Sequence, residues 1–166
     1  MSMSSTVQQA LNKQINMELS ASYEYLAMSA WCETQNLHGS AKWLRLQSQE
    51  EYGHGMKLFG FVIARGGAVD LQAMGAPVQK FDTLLDVFTK VLAQEQTVTQ
   101  QIDSLYELAF KEKAYAATVE LQWFLMEQVE EEKSAREILA KLKMIGGDPA
   151  ALLDFDRDLG SRSTPA

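Results

Sequence analysis

In the stretch Glu50-Glu51-Tyr52-Gly53-His54, a carboxylate and an imidazole stand three residues apart, so on a helix Glu51 and His54 share one face. Such a pair can hold a cation, and alone it would be an ordinary surface coincidence. Three other glutamates change its meaning. Glu18 lies among Leu11, Ile15, Ala21 and Tyr25 at helical spacings, and Glu95 among Phe88, Val91, Leu92, Val98 and Ile102. Glu131 lies among Leu121, Phe124, Ala135 and Ile138, with Gln128 one turn earlier, while Glu51 and His54 fall between Leu44 and Leu58. Each glutamate stands where the helical period calls for a core side chain.

Burying a carboxylate without a partner is expensive, so it must pair with a base or hold a cation. No lysine or arginine occupies these seams. Glutamate oxygens with one imidazole and no thiolate suit iron or manganese, with zinc able to compete.

These side chains need helices to carry them. Periodicity predicts helices over about 5–35, 40–65, 82–110 and 114–145, and a short fifth one over 149–158. Ser5-x-x-Gln8 reads as a capping box for the first, Ser40 as the N-cap of the second, and Thr83-x-x-Asp86 as the cap of the third. Asp148-Pro149 is a helix start. Residues 67–80 hold glycines and a proline without a sustained period, and so form a long connection. Between the third and fourth segments only Lys-Glu-Lys intervenes, and the base rate for helix length places a turn near 111–114. A disordered tail is expected over about 160–166. The fold class is therefore all-α: one domain over 1–166, a four-helix bundle with a long crossover between helices two and three and a short C-terminal helix. Each glutamate sits near the middle of its segment, which brings all four to a similar height.

The 166 residues carry a net charge of −7, which argues against nucleic acid and anionic membranes as partners. The single cysteine, Cys32, rules out an intramolecular disulfide or a thiolate zinc cage and fits a reducing compartment. No secretory leader or apolar stretch of membrane-spanning length is visible, so the cytoplasm is the expected location.

The ligand pattern resembles that of ferritin-like di-iron proteins, in which two helices each give a Glu and two give a Glu-x-x-His. Here the second such motif reads Gln128-x-x-Glu131. With Asn16-Met17-Glu18-Leu19-Ser20, Leu44-Arg45-Leu46-Gln47 and Leu121-Gln122-Trp123-Phe124, the chain resembles a non-haem bacterial ferritin over nearly its whole length. That resemblance implies a cytoplasmic 24-subunit shell storing ferric mineral, with Fe²⁺ and O₂ or H₂O₂ as substrates. By position it implies a first iron on Glu18, Glu51 and His54, and a second on Glu51, Glu95 and Glu131. Gln128 and Tyr25 resemble residues that assist the oxidation, and Trp123 an aromatic neighbour. Glu50, Glu127 and Glu130 resemble a third iron site, although Glu127 and Glu130 also read as ordinary acidic helix surface.

Bacterioferritins, which share the bundle, carry a second histidine in the fourth helix and a haem-binding methionine between the Glu and His of the second. Here Glu131 and Tyr52 stand there, so no haem is expected. Other di-iron oxidases or peroxidases and a non-catalytic helical scaffold are the remaining alternatives. Gly53 suggests tight packing beside the site.

Overall fold

The computed structural model describes residues 3–163; the expected domain over 1–166, and the part of its tail at 164–166, extend outside them. Among those residues the chain forms five helices and no strand: α1 Ser5–Thr34, α2 His38–Ala64, α3 Leu84–Lys111, α4 Tyr115–Ile145 and α5 Pro149–Gly160. Helix α1 packs chiefly on α2, and α3 on α4.

Two apolar clusters reveal how the helices run. One gathers Tyr25, Met28 and Cys32 of α1, Trp43 and Leu44 of α2, Val87, Phe88 and Val91 of α3, Ile138 and Leu142 of α4, and Phe155 and Leu159 of α5. The other joins Val7, Leu11, Ile15, Leu58, Val62, Val98, Ile102, Leu121 and Phe124. The end of α1 thus meets the start of α2, the start of α3 and the end of α4. It follows that α2 and α3 run in the same direction, and the chain between them must return along the length of the bundle. A helix of this size spans about 40 Å, a distance that residues 65–83 can cover as a strap but would fall short of as a helix.

Three amides on α1 hold that extended strap. Gln8 Oε1 accepts from the Ala68 amide (3.2 Å), and Asn12 donates to the Ala68 carbonyl (2.9 Å) and accepts from Asp70 (2.9 Å). Asn16 donates to the Asp70 carbonyl (2.8 Å) and accepts from Gln72 (2.8 Å). Four helical residues rise about 6 Å, close to the span of two extended ones, so positions 8, 12 and 16 match 68, 70 and 72.

The caps differ from expectation at two helix starts. The cap of α1 is Ser4, whose side chain accepts from the Val7 amide at 3.3 Å, not Ser5; Gln8 is committed to the strap instead. Helix α2 begins at His38 with no side-chain cap from its own N-cap residue, Leu37. Ser40, expected as the cap, lies inside the helix because Asp156 of α5 does the capping. Its carboxylate accepts from the Gly39 amide (3.0 Å), the Ser40 amide (2.7 Å) and the Ser40 hydroxyl (2.6 Å). Thr83 and Asp86 cap α3 reciprocally. Lys113, in the left-handed region at φ 56°, makes the turn between α3 and α4.

The expectation of a disordered tail from 160 fails at its start. Gly160 is still helical, and Arg162 is anchored on α2, because Asp156 and a close backbone contact dock α5 there. A Cβ on Gly39 would lie 1.7 Å from the Asp156 carbonyl oxygen, and one on Gly160 would lie 2.9 Å from the Gly39 Cα. Gly53, by contrast, faces open space. The close approach expected there occurs two residues later, where a Cβ on Gly55 would sit 3.3 Å from Leu19 and 3.5 Å from Glu18.

Gly39→Ala is therefore expected to destabilise the fold by about 1–3 kcal/mol in thermal or denaturant melts, since backbone must move. Gly53→Ala should be neutral or stabilising by up to about 1 kcal/mol through helix propensity. Equal melting of the two variants would contradict this packing.

Candidate metal centre

The two apolar clusters are separated by a polar layer at mid-bundle. Helix α1 contributes Glu18, α2 contributes Glu51 and His54, α3 contributes Glu95, and α4 contributes Gln128 and Glu131; all six are buried. Each sits on the inward stripe of its helix, between residues of one apolar cluster and residues of the other.

Donor atoms of Glu18, Glu51 and His54 lie within 4.8 Å of one another, and so do those of Glu51, Glu95 and Glu131. Glu51 thus belongs to both sets. A third set joins His54, Glu131 and the half-buried Glu127. Of the other residues singled out for a further cation, Glu50 is bonded to Arg162 (2.6 Å) and Glu130 is exposed.

Neutral donors hold the carboxylates. Gln14 donates to Glu18 Oε1 at 2.8 Å, and Gln47 donates to Glu131 Oε2 at 2.7 Å and to Glu51 Oε1 at 3.2 Å. The Tyr25 hydroxyl donates to Glu95 Oε1, and Gln128 donates to Glu95 Oε2 at 3.2 Å. The Gln128 amide also lies 3.3 Å from the Thr99 hydroxyl, which donates to Glu132 at 2.7 Å. Two buried oxygens, Glu18 Oε2 and Glu51 Oε2, have no hydrogen-bond partner. Glu51 Oε2 is 3.3 Å from His54 Nδ1, outside hydrogen-bonding geometry. Oxygens of this kind, crowded beside an imidazole nitrogen, form a donor set for a cation. The His54 ring packs edge-on against Trp123 (centroids 5.2 Å apart) and Phe124 (6.0 Å), which fixes its plane.

Gln14 and Gln47 are site residues that the sequence reading passed over. A signal for them exists: each stands four residues before a buried glutamate, on the same helical face. Thr99 and Arg162 have no comparable local signal.

Crowding and burial favour the protonated carboxyls. Burial, then the charge of Glu51, pushes Glu18 well above the usual carboxylate range. Burial with the charges of Glu95 and Glu131 does the same to Glu51. Glu95 is raised by burial, against the opposing hydrogen bonds from Tyr25 and Gln128. Burial, then Glu95 and Glu50, lifts Glu131 to about 9. The Tyr25 phenol is raised by burial and by the Glu95 charge, which keeps it a hydrogen-bond donor.

A family model described as the ferritin-like domain matches residues 8–145. A probable bacterial non-heme ferritin-like protein of Haemophilus influenzae is 39% identical over 164 residues, covering 99% of each chain. The bacterial non-heme ferritin of Staphylococcus aureus is 37% identical over 161 residues, 97% of each chain. Among solved structures, an open pore ferritin from the archaeon Archaeoglobus fulgidus superposes with a TM-score of 0.97 at 44% identity, covering 98% of this chain and 100% of that one. A humanized archaeal ferritin gives 0.98 at 42% identity, covering 99% and 100%.

Because a divalent cation needs ionised carboxylates, its binding at pH 7 must release protons, that of Glu131 among them. Calorimetric heats of Zn²⁺ binding should therefore depend on the ionisation enthalpy of the buffer, and affinity should climb as pH rises towards about 9. The folded apo protein holds this proton more tightly than the unfolded chain does. Glu131 thus contributes a loss of apo stability as pH rises from its ordinary value of 4.5 towards about 9. Buffer-independent heats would contradict the protonated state.

Proposed function

We propose, since the chain belongs to the ferritin-like family and is an iron-storage protein, that it is a ferroxidase oxidising Fe²⁺ at the four-helix site before storage. The sharing of Glu51 carries this reading: one carboxylate belongs both to the set with Glu18 and His54 and to the set with Glu95 and Glu131. A shared carboxylate allows two Fe²⁺ to be bound side by side and oxidised as a pair.

In this mechanism Glu18, Glu51 and His54 take the first Fe²⁺, and Glu51, Glu95 and Glu131 the second. The imidazole nitrogen makes the first position the tighter one. The second, made of oxygens alone, suits release. Each Fe²⁺ gives up one electron. Molecular oxygen takes two electrons and two protons and leaves as H₂O₂; with peroxide as oxidant, two waters leave instead. Tyr25 and Gln128 hold Glu95 from two sides, so that its oxygens keep their aim while charge develops on the iron. Protons displaced from the carboxyls by incoming Fe²⁺ are available to the reduced oxygen species.

A third cation position falls on Glu50, Glu127 and Glu130, on the Glu131 side of the centre. Its support is Glu127, which is grouped with His54 and Glu131. The protein acts as a homo-oligomer, a shell of 24 subunits in the cytoplasm. Exposed apolar side chains favour assembly, among them Tyr23 and Leu26 of α1 and Leu71, Met74 and Val78 of the strap. No helix is long and apolar enough to cross a membrane, among the described residues. The acidic charge of −7 disfavours nucleic acid as a partner. With Tyr52 and Glu131 at the positions noted above, the centre works without haem.

Aerobic addition of Fe²⁺ should give a rapid optical phase consuming about two Fe²⁺ per subunit. Glu51→Ala removes a donor from both sets and should slow that phase by at least about tenfold. An unchanged rate in the variant would refute the site. Light scattering that returned a monomer mass for the native protein would refute the shell.

A further inference from the structure

Helix α5 brings a guanidinium to the edge of the metal centre. Asp156 docks α5 on the start of α2, and the chain then runs on to Arg162. Arg162 Nη2 donates to Glu50 Oε2 at 2.6 Å, and Nη1 to Gln47 Oε1 at 3.0 Å, with the Trp43 carbonyl at 3.4 Å. Its guanidinium carbon stands 4.7 Å from the centre of the Trp43 ring. Trp43, Gln47 and Glu50 lie one turn apart on a single stripe of α2.

We propose that Arg162 is a positioning residue for the second iron position, holding the oxygen of the Gln47 amide so that its NH₂ stays turned towards Glu51 and Glu131. The inference rests on the two-iron function proposed above.

Gln47 is 1% exposed, so its amide cannot satisfy itself with solvent. The two ends of a primary amide are nearly the same size, and rotation of the terminal torsion exchanges them. In the empty site the NH₂ end donates to oxygens of Glu51 and Glu131. Once a cation has taken those oxygens, they no longer hold the NH₂ end, and the amide oxygen can turn inward as a competing ligand. Arg162 prevents the exchange in both states, because a guanidinium only donates and stays charged. It acts through Gln47 and forms no hydrogen bond or ion pair with Glu18, Glu51, His54, Glu95 or Glu131.

Anaerobic Co²⁺ titration followed by visible absorption separates the two cation positions without oxidation. Arg162→Met should weaken the second Co²⁺ by about tenfold, the low end of what loss of an outer-sphere partner costs, and weaken the first by less, since Gln47 holds the shared Glu51 by its longer bond. Arg162→Lys keeps a charge for Glu50 but lacks the fork that reaches Gln47 as well, and should keep most of the loss. In a Gln47→Leu background the Arg162→Met effect should vanish. Wild-type affinities in Arg162→Met, full recovery in Arg162→Lys, or an undiminished effect in the Gln47→Leu background would each overturn the proposal. Should Arg162→Met fail to fold, Arg162→Lys and the Gln47→Leu pairing with it carry the same test. If Glu51→Ala binds Co²⁺ like the wild type, the two-cation reading itself fails. A silent Arg162→Met beside an impaired Glu51→Ala overturns the positioning role alone.

Discussion

Four buried carboxylates facing one another across a helical bundle are a cost that the packing on either side must offset. Their hydrogen-bond partners among the described residues are the neutral side chains Gln14, Gln47, Tyr25 and Gln128, and no guanidinium or ammonium stands among them. The fold tolerates the layer because burial and crowding favour its protonated carboxyls, and the same oxygens form a donor set for cations. Two apolar clusters, one on each side, carry the stability that this polar layer withholds. A bundle with a continuous core would be easier to fold and would have nothing to do.

That division explains the uneven supporting cast. Each glutamate needs its aim set, because a carboxylate on a two-carbon stem has several rotamers. Gln14 and Gln47 set Glu18 and Glu51 from one turn away on the same helix, whereas Tyr25 and Gln128 reach Glu95 from other helices. The outer partners extend the network to Thr99 and Glu132 on one side and to Arg162 and Glu50 on the other. Donors that are neutral steady the carboxylates without competing with a cation for their charge. A lysine in place of Gln47 would set a fixed positive charge against Glu51 and Glu131, in competition with a cation.

Architecture and function meet again in the long strap. Helices α2 and α3 run in the same direction, and that places the Glu51–His54 pair and Glu95 at one height while each helix keeps its own antiparallel partner. The strap is long for a connection in a small domain. Its backbone is nevertheless satisfied, because Gln8, Asn12 and Asn16 take the place of a neighbouring strand. The same economy appears at α2, whose uncapped start is supplied from a helix more than a hundred residues later in the chain.

The candidate ligands were legible in the sequence because they break a rule that sequence displays. Glu18, Glu51, His54, Glu95 and Glu131 interrupt apolar seams of period 3.6, and an interruption near the middle of every helix has one height to occupy. The helices, the strap and the reciprocal Thr83–Asp86 cap follow from equally local patterns. Local pattern also misled: Ser40 looks like a cap, and the stretch from Gly160 to Arg162 looks like the start of a free tail. Both readings fail for one reason, the docking of α5, which depends on two glycines touching and on a carboxylate reaching the start of α2. Sequence by itself therefore determined which residues are candidates to hold a cation and on which helices they stand. Tertiary structure alone decided which way the Gln47 amide faces, where Arg162 rests and that Asp156 caps α2. Those depend on distances between side chains far apart in the chain, which no periodicity records.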